Sequence, residues 1–275
     1  MSGFLDGMAQ SSAQRVLAAS RLESLAQLRR RALAAAQPLP LRLSPQGFDV
    51  IAEIKLRSPA AGQLGEQSDD WLGRALAYGR GGAAAVSVLT EPSRFDGSLQ
   101  HLQRAAEALR PLGVPAMRKD FLVDVYQVAE ARAAGAGGIL LIVRMLTPQR
   151  LGELLDAAAE FGLFVLLEAF DGDDLATAAT LLRGRERHAA QVLVGINSRD
   201  LQTLKVVPER FEILAPLLPQ GWLAVAESGV ASAADAKVMQ RLGYRLALIG
   251  TALMTCAEPA GLLREIFEAT RTLKT

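Results

Sequence analysis

From about residue 48 onward, short apolar runs alternate with longer amphipathic segments, and this alternation constrains the fold more than any other feature. The short runs are rich in Val, Ile and Leu, as expected of strands covered on both faces. The longer segments repeat apolar residues every three or four positions, which is typical of helices. Eight strands are predicted in this way, at residues 48–54, 84–89, 114–118, 138–143, 163–167, 192–196, 223–226 and 246–249.

Helices are predicted between these strands, for example at residues 124–134, 149–161 and 232–242. Eight uniform strand and helix units favour a closed (β/α)8 TIM barrel over an open doubly wound sheet. Residues 4 to about 36 are Ala-rich and Leu-rich and are followed by Pro38 and Pro40, so they predict extra helices before the first strand. The expected organisation is a single α/β barrel domain over residues 1–275, with residues 1–47 as a helical extension that caps it.

The composition excludes several classes of function. The 275-residue chain carries 30 Lys and Arg against 29 Asp and Glu, so it lacks the basic surface that nucleic-acid binding requires. Cys256 is its one cysteine, and His101 and His188 are its two histidines, which argues against disulfides and against thiolate or histidine metal sites. No apolar run approaches the length of a membrane span, and no secretion signal is recognised. We expect a cytoplasmic protein without metal or membrane partner.

Polar side chains follow the predicted strands at the ends where barrel enzymes carry their active sites. A solvated charge or a structural ion pair is the simpler interpretation of any one of them, but a set on five strands favours a site. Because strand residues alternate in direction, Glu53 and Lys55 point to the same side, whereas Arg118 points outward beside Lys119 and is taken as structural. The set comprises Glu53 and Lys55, Lys119, Glu168, Asn197 and Arg199, and Glu227 and Ser228.

Glycines follow the last two predicted strands. Gly229 comes after Glu227 and Ser228, and Gly250 precedes Thr251. Glycine lets backbone N–H groups approach an anion, and the seventh and eighth strand ends are where such barrels hold phosphate. The sequence therefore predicts a small phosphorylated substrate.

The chain resembles the indole-3-glycerol phosphate synthase family over most of its length, from Phe48 to Met254. The resemblance is carried by motifs that occur in the family's order: IAEIK at 51–55, SVLTE at 87–91, RKDF at 118–121, GINSRDL at 195–201 and ESG at 227–229, with Glu168 among them. It implies conversion of 1-(2-carboxyphenylamino)-1-deoxyribulose 5-phosphate into indole-3-glycerol phosphate, with release of carbon dioxide and water. It implies no cofactor.

The resemblance also implies roles for the residues that match those motifs. Lys119 is expected to be the general acid for ring closure, with Phe121 and Phe95 as apolar walls that lower its pKa. Glu168 is expected to be the general base and Glu53 a proton donor or an orienting carboxylate, although an exchange of roles with Lys55 or Lys119 stays open. The expected catalytic set is Lys119, Glu168, Glu53, Lys55, Asn197 and Ser228.

The remaining residues are expected to bind the substrate. Arg199 and Asn197 should hold the anthranilate carboxylate, because a guanidinium pairs with a carboxylate through two N–H groups. Lys55 should reach the phosphate. The other predicted binding residues are Ser228, Glu227, Gly229, Gly250 and Thr251 at the last two strands, and Ser58 and Pro59 in a mobile first loop.

The chain departs from the family pattern in three places. Ala60 and Ala61 stand where the family has Ser and Lys in the first loop, and Gly137 and Gly138 follow Ala136 where a carboxylate is usual. Residues 13–16 lack the family's dense charges. These departures leave open a changed substrate or a non-catalytic phosphometabolite-binding relative.

A neighbouring hypothesis, phosphoribosylanthranilate isomerase, needs a Cys and Asp pair that Glu53 and Lys119 do not supply. Oligomeric state is expected to be a monomer or a weak homodimer.

Overall fold

Eight parallel strands close into a barrel in which each strand pairs with the next along the chain and the last pairs with the first. The computed structural model describes residues 3–45, 47–58, 62–63, 70–185, 191–200 and 203–271, and of Ser58 only the backbone. The strands are β1 (Asp49–Ile54), β2 (Ala85–Leu89), β3 (Ala116–Lys119), β4 (Gly138–Ile142), β5 (Phe164–Ala169), β6 (Val192–Asn197), β7 (Leu223–Glu227) and β8 (Leu246–Ile249). The predicted fold class is confirmed.

The strand boundaries lie within two residues of the predicted ones. Two boundaries differ by two residues: β3 was predicted to start at residue 114 and starts at Ala116, and β5 was predicted to end at residue 167 and continues to Ala169. Strand β5 continues because Glu168 pairs with Ile142 of β4 on one side and with Gly195 of β6 on the other. Glu168 therefore belongs to the ladder itself, which fixes the position of its backbone.

Helices surround the barrel and precede it. They are α1 (Gly3–Leu22), α2 (Leu25–Ala34), α3 (Trp71–Arg80), α4 (Pro92–Phe95), α5 (Leu99–Leu109), α6 (Val125–Ala133), α7 (Pro148–Glu160), α8 (Gly172–Leu182), α9 (Glu209–Leu214), α10 (Ala233–Arg241), α11 (Thr251–Thr255) and α12 (Pro259–Thr270). Two short antiparallel strands, Arg57–Ser58 and Gly62–Gln63, follow β1. The predicted helices correspond to α6, α7 and α10, and the predicted N-terminal helices are α1 and α2.

The alternation of side chains along each strand divides the apolar residues into two clusters. Val50 and Ala52 of β1 face outward and pack with the surrounding helices, whereas Ile51 faces the barrel axis. Burial of this aliphatic surface supplies about 25 cal/mol per Å² and is the main force that closes the barrel. At the carboxyl ends of the strands, apolar residues of the inner cluster such as Phe121 and Phe170 lie beside the polar side chains of the strand ends.

The N-terminal helices are joined to the barrel by different clusters. Ser24 and Gln27 form a capping box at the start of α2, whose Leu28 is buried in the outer cluster. Leu5 and Met8 of α1 are buried instead in the inner cluster. Helix α1 therefore lies over the carboxyl end of the barrel, the end that carries the site.

Arg118 points outward, as predicted. Its guanidinium is fully buried and donates to the Gln127 carbonyl at 2.8 Å and to Glu130 at 3.0 Å, both on α6. It also donates to Asp120 at 3.1 Å. Arg118 thus holds α6 to the end of β3. Within the described residues, no helix combines the length and the apolar character needed to cross a bilayer.

Gly138 at the start of β4 provides a test of barrel packing. A Cβ added there would lie 2.4 Å from atoms of the Phe164 ring, which is buried on the neighbouring strand. We expect Gly138→Ala to lower the free energy of unfolding by about 1–3 kcal/mol, measured by urea denaturation. Gly7→Ala on α1 is the control, because nothing lies within 4 Å of its added Cβ. Phe164→Leu in the Gly138→Ala background should recover part of the loss, and an undiminished loss would contradict the packing argument.

Candidate active site

Four ionisable side chains at the mouth of the barrel come from alternate strands. Glu53 lies on β1, Lys119 on β3, Glu168 on β5 and Glu227 on β7. In an eight-stranded barrel, inward side chains from alternate strands share a layer. All four line one cavity, so three carboxyl groups and one ammonium form the polar layer directly above the apolar interior.

Two ion pairs hold this layer together. The Lys119 Nζ atom lies 3.3 Å from a Glu168 carboxylate oxygen, and the Lys55 Nζ atom lies 2.9 Å from Glu53 Oε1. Both carboxylate side chains are buried, at 3% and 5% exposed, and the two ammonium groups are only slightly more accessible. Because water screens these charges little, their mutual interactions are strong.

The pKa of Lys119 is raised above its ordinary value. Burial alone would lower the pKa of the ammonium, but the carboxylates of Glu168, Glu53 and Glu227 outweigh that effect. The prediction that Phe95 and Phe121 lower this pKa is therefore wrong, since the nearby negative charges dominate over the apolar walls. Lys119 is therefore held in its protonated form.

The surroundings shift the pKa values of the carboxyl groups of Glu53 and Glu227 in opposite directions. Burial would raise the pKa of Glu53, but Lys55 and Lys119 outweigh it and hold that pKa below the ordinary value. Burial and the adjacent Glu168 charge raise the pKa of Glu227 well above its usual range. Within the described residues, neither Glu227 oxygen has a hydrogen-bond partner. The two pKa values are thus shifted apart by the surrounding charges and by burial.

Gly195 makes the space that Glu227 occupies. A Cβ added at Gly195 on β6 would lie 2.0 Å from Glu227 Oε1 and 3.0 Å from a methyl group of Leu166. A larger residue at Gly195 would force the Glu227 carboxyl group to move from this position. The absence of a side chain at one strand end is therefore what admits a buried acid from the next.

The end of β6 presents Asn197 and Arg199. The Asn197 side-chain oxygen accepts the Arg199 N–H at 2.9 Å, which leaves the amide NH₂ group of Asn197 as the donor towards the cavity. One guanidinium nitrogen of Arg199 donates to the Leu204 carbonyl at 2.7 Å. Arg210 donates to the carbonyls of both Asn197 and Arg199, at 2.9 and 3.1 Å. These bonds hold the backbone of Asn197 and Arg199 in place at the end of β6.

The turns after β7 and β8 are shaped by small residues. Ser228 has a φ of 65° and Gly229 a φ of 82°, so a left-handed turn follows Glu227 directly. A non-glycine residue in this region is uncommon and marks local strain at a functional turn. Gly250 is required for a different reason, since an added Cβ would lie 2.4 Å from Glu53 Oε1 and 2.8 Å from Lys55 Nζ. The Lys55 ammonium therefore lies against the β8 turn.

These groups surround one cavity of about 610 Å³. Every predicted site residue whose side chain is described lines it: Glu53, Lys55, Phe95, Lys119, Phe121, Glu168, Asn197, Arg199, Glu227, Ser228, Gly229, Gly250 and Thr251. Pro59, with Ala60 and Ala61, lies outside the described residues, as does the side chain of Ser58. Among the described residues, no group of His, Cys, Asp and Glu side chains could hold a metal ion.

The cavity also has apolar walls that the sequence did not predict. Phe4 and Leu5 of α1 line it, and the Phe4 and Phe121 rings meet edge to face at 6.0 Å between centroids. Phe170 lines it as well, and its position two residues after Glu168 is a signal that could have been used. No local pattern shows where α1 lies on the barrel, so Phe4 and Leu5 could not be found in this way.

Comparisons with known proteins support one family. The family model for indole-3-glycerol phosphate synthase matches residues 5–266. An indole-3-glycerol phosphate synthase of Mycobacteroides abscessus is 38% identical over 267 residues, covering 96% of this chain and 94% of that protein. Those of Leifsonia xyli and Nocardioides sp. are 40% identical over 266 residues and 43% identical over 229 residues. The former covers 96% of this chain and 94% of its own length, and the latter 83% of each.

Solved structures at low identity share the fold. A 3-hexulose-6-phosphate synthase from Salmonella typhimurium has a TM-score of 0.61 at 15% identity and covers 81% of this chain and 98% of its own. A thiamine phosphate pyrophosphorylase from Pyrococcus furiosus has a TM-score of 0.56 at 13% identity and covers 81% and 95%. At these identities the likeness concerns the barrel alone.

Replacement of Glu227 tests the buried acid. Because its pKa is raised, folded Glu227 releases its proton at a higher pH than the unfolded chain does, so the contribution of Glu227 to stability falls as the pH rises above about 4.3. We expect the stability of Glu227→Gln relative to wild type to increase with pH between about 4 and 8, measured by urea denaturation at several pH values. Glu265→Gln, an exposed position on α12, should give no such increase. A pH-independent difference for Glu227→Gln would contradict a raised pKa.

Proposed function

The chain belongs to the indole-3-glycerol phosphate synthase family. From that premise we propose which step of the family's reaction each charged side chain at the barrel mouth performs. The activity is that of a carboxy-lyase of tryptophan biosynthesis. It converts 1-(2-carboxyphenylamino)-1-deoxyribulose 5-phosphate into indole-3-glycerol phosphate, carbon dioxide and water. The substrate must close a ring, lose a carboxylate and lose a hydroxyl group in one cavity.

The observation that carries the proposed roles is the Lys119 ammonium, held protonated 3.3 Å from Glu168. In ring closure, the aromatic carbon that bears the carboxylate attacks the ketone carbon, and the ketone oxygen needs a proton. Lys119 donates that proton. Carbon dioxide then leaves, its bonding electron pair returns to the ring, and a hydroxyl group remains on the former ketone carbon. A positioned acid of this kind contributes roughly 10²–10⁴-fold to the rate.

Dehydration needs an acid and a base at the same time. Glu168 takes a proton from the carbon beside the ring nitrogen, and the electron pair of that C–H bond becomes the new ring double bond. The neutral carboxylic acid of Glu227 supports a second donation, to the hydroxyl group that leaves as water. Glu53 is ionised beside Lys55, which favours an orienting role over proton donation.

The two ends of the substrate are both anionic. Arg199 and the amide NH₂ group of Asn197 bind the anthranilate carboxylate, with one guanidinium nitrogen already committed to Leu204. Lys55 lies against the Gly250 turn, which supports its role at the phosphate. Ser228, Gly229 and Thr251 complete the phosphate end of the cavity, and Phe95 and Phe121 line its apolar side.

Three further expectations accompany this function. The barrel with its N-terminal helices is proposed to act as one domain over residues 1–275. The location is expected to be the cytoplasm, and the oligomeric state a monomer or a weak homodimer. Sedimentation of the purified chain at several concentrations addresses the last of these.

Lys119→Ala should abolish most of the turnover. We expect kcat to fall by roughly 10²–10⁴-fold while the circular dichroism spectrum is unchanged, with product formation followed by indole fluorescence. Lys237→Ala, an exposed lysine on α10, is the matched control and should retain wild-type kcat. Folded wild-type protein that binds the substrate without turnover would favour the non-catalytic hypothesis, and an active Lys119→Ala variant would contradict the role of Lys119.

Gly250→Ala should disturb both partners of the Glu53 and Lys55 ion pair, because the new Cβ would overlap them. We expect kcat/KM to fall about tenfold or more, equal to about 1.4 kcal/mol, and inhibition by inorganic phosphate to weaken. Gly152→Ala on α7 is the control, since its nearest neighbour to an added Cβ is 3.7 Å away. Unchanged phosphate inhibition would argue against Lys55 at the phosphate.

A further inference from the structure

Helix α1 is attached to the mouth of the barrel by an apolar face and by two polar side chains. Leu5 and Met8 are buried, and Phe4 packs edge to face on Phe121. One and two turns further along, Ser12 and Arg15 make the polar contacts. The Ser12 hydroxyl donates to the Phe121 carbonyl and accepts from the Gln127 side-chain amide at 2.7 Å. The apolar contacts alone would allow α1 to slide, and the polar contacts fix its register.

Arg15 binds Asp120 through both guanidinium NH₂ groups. The two distances are 2.9 Å to Oδ2 and 2.7 Å to Oδ1. Asp120 is fully buried, whereas the Arg15 side chain is 28% exposed. A two-pronged ion pair fixes orientation as well as distance, which a single contact does not.

Asp120 in turn organises the end of β3. Its Oδ1 accepts the Phe121 N–H at 2.8 Å, and its Oδ2 accepts the Thr90 hydroxyl at 2.7 Å and an N–H of Arg118 at 3.1 Å. Both polar contacts of α1 with the strand end therefore fall on the two residues that directly follow Lys119. Rotation of the Asp120 carboxylate would move the backbone that carries the Lys119 side chain.

We propose that Arg15 is a positioning residue, which acts through Asp120 to hold Lys119 and Phe121 in place for proton donation. Among the described residues, Asp120 lines the cavity and Arg15 does not, so Arg15 has no contact of its own with the site. The proposal rests on the proposed role of Lys119 as the general acid. The proposal also assigns a role to Arg15 within residues 13–16, the segment in which the chain departs from its family's charge pattern.

The network allows Arg15 to be removed without leaving a bare buried charge. Asp120 keeps Arg118, Thr90 and the Phe121 N–H as partners. Burial would raise the pKa of Asp120, but Arg15, Arg118 and Thr90 together hold it well below the ordinary value. The fold should therefore survive Arg15→Ala, and a kinetic effect can be separated from unfolding.

The experiment compares Arg15→Ala and Arg15→Lys with Arg29→Ala. Arg29 is the matched control, because it also joins an N-terminal helix to the barrel, through Glu160 on α7, but lies away from the mouth. We expect Arg15→Ala to lower kcat at saturating substrate roughly tenfold or more, because small displacements of catalytic groups are costly. Arg15→Lys should recover part of kcat, since its ammonium can pair with one Asp120 oxygen. A change in melting temperature or KM with unchanged kcat would overturn the proposal.

A double-mutant comparison tests the route through Asp120. If Arg15 acts only through that carboxylate, Arg15→Ala should cause no further loss of kcat in an Asp120→Asn background. Independent, multiplicative losses would overturn the proposal.

Hydrogen exchange separates this inference from the proposed function. If wild type itself does not turn over, the function fails, but faster amide exchange at residues 119–122 in Arg15→Ala and not in Arg29→Ala would still support the positioning role. Unchanged exchange there would overturn it.

Discussion

A lysine ammonium surrounded by three carboxyl groups is the interaction on which the rest of this structure depends. Lys119 comes from one strand and its neighbours Glu53, Glu168 and Glu227 from three others, so the barrel must close in one register before they can meet. Burial of unpaired charge costs several kcal/mol, and the layer is tolerated because each charge has an opposite charge nearby. The same pairing raises the pKa of Lys119 and lowers that of Glu53. Burial and the neighbouring Glu168 charge raise the pKa of Glu227.

The fold could be predicted from the sequence because hydrophobic periodicity reports directly on strands and helices. Eight periodic units admit few topologies, and strand alternation separated inward Lys119 from outward Arg118 without any knowledge of tertiary contacts. The candidate site followed from the rule that barrel strands carry their functional groups at one end. Glu168 and Glu227 were found in this way because each closes a recognisable apolar run.

Long-range contacts could not be predicted in this way. The placement of α1 depends on Ser12 and Arg15 meeting residues more than a hundred positions later, and no local pattern encodes that separation. The acidity of Lys119 was predicted in the wrong direction for a related reason. Phe95 and Phe121 belong to sequence motifs and could be recognised as neighbours of Lys119. The combined effect of three carboxylates on the pKa of Lys119 depends on their distances, which exist only once the strands have assembled.

The missing side chain at Gly195 constrains how the sequence at the barrel mouth can change in evolution. Because a methyl group there would lie 2.0 Å from a Glu227 oxygen, a substitution at residue 195 requires the side chain at residue 227 to move or to change. A lineage that shortened residue 227 first would free room for a side chain at 195, while the opposite order would first displace the Glu227 carboxyl group within a closely packed barrel interior. Mutational paths away from this arrangement of acids therefore favour one order of substitution, and libraries that randomise the mouth sample it best when both codons vary together.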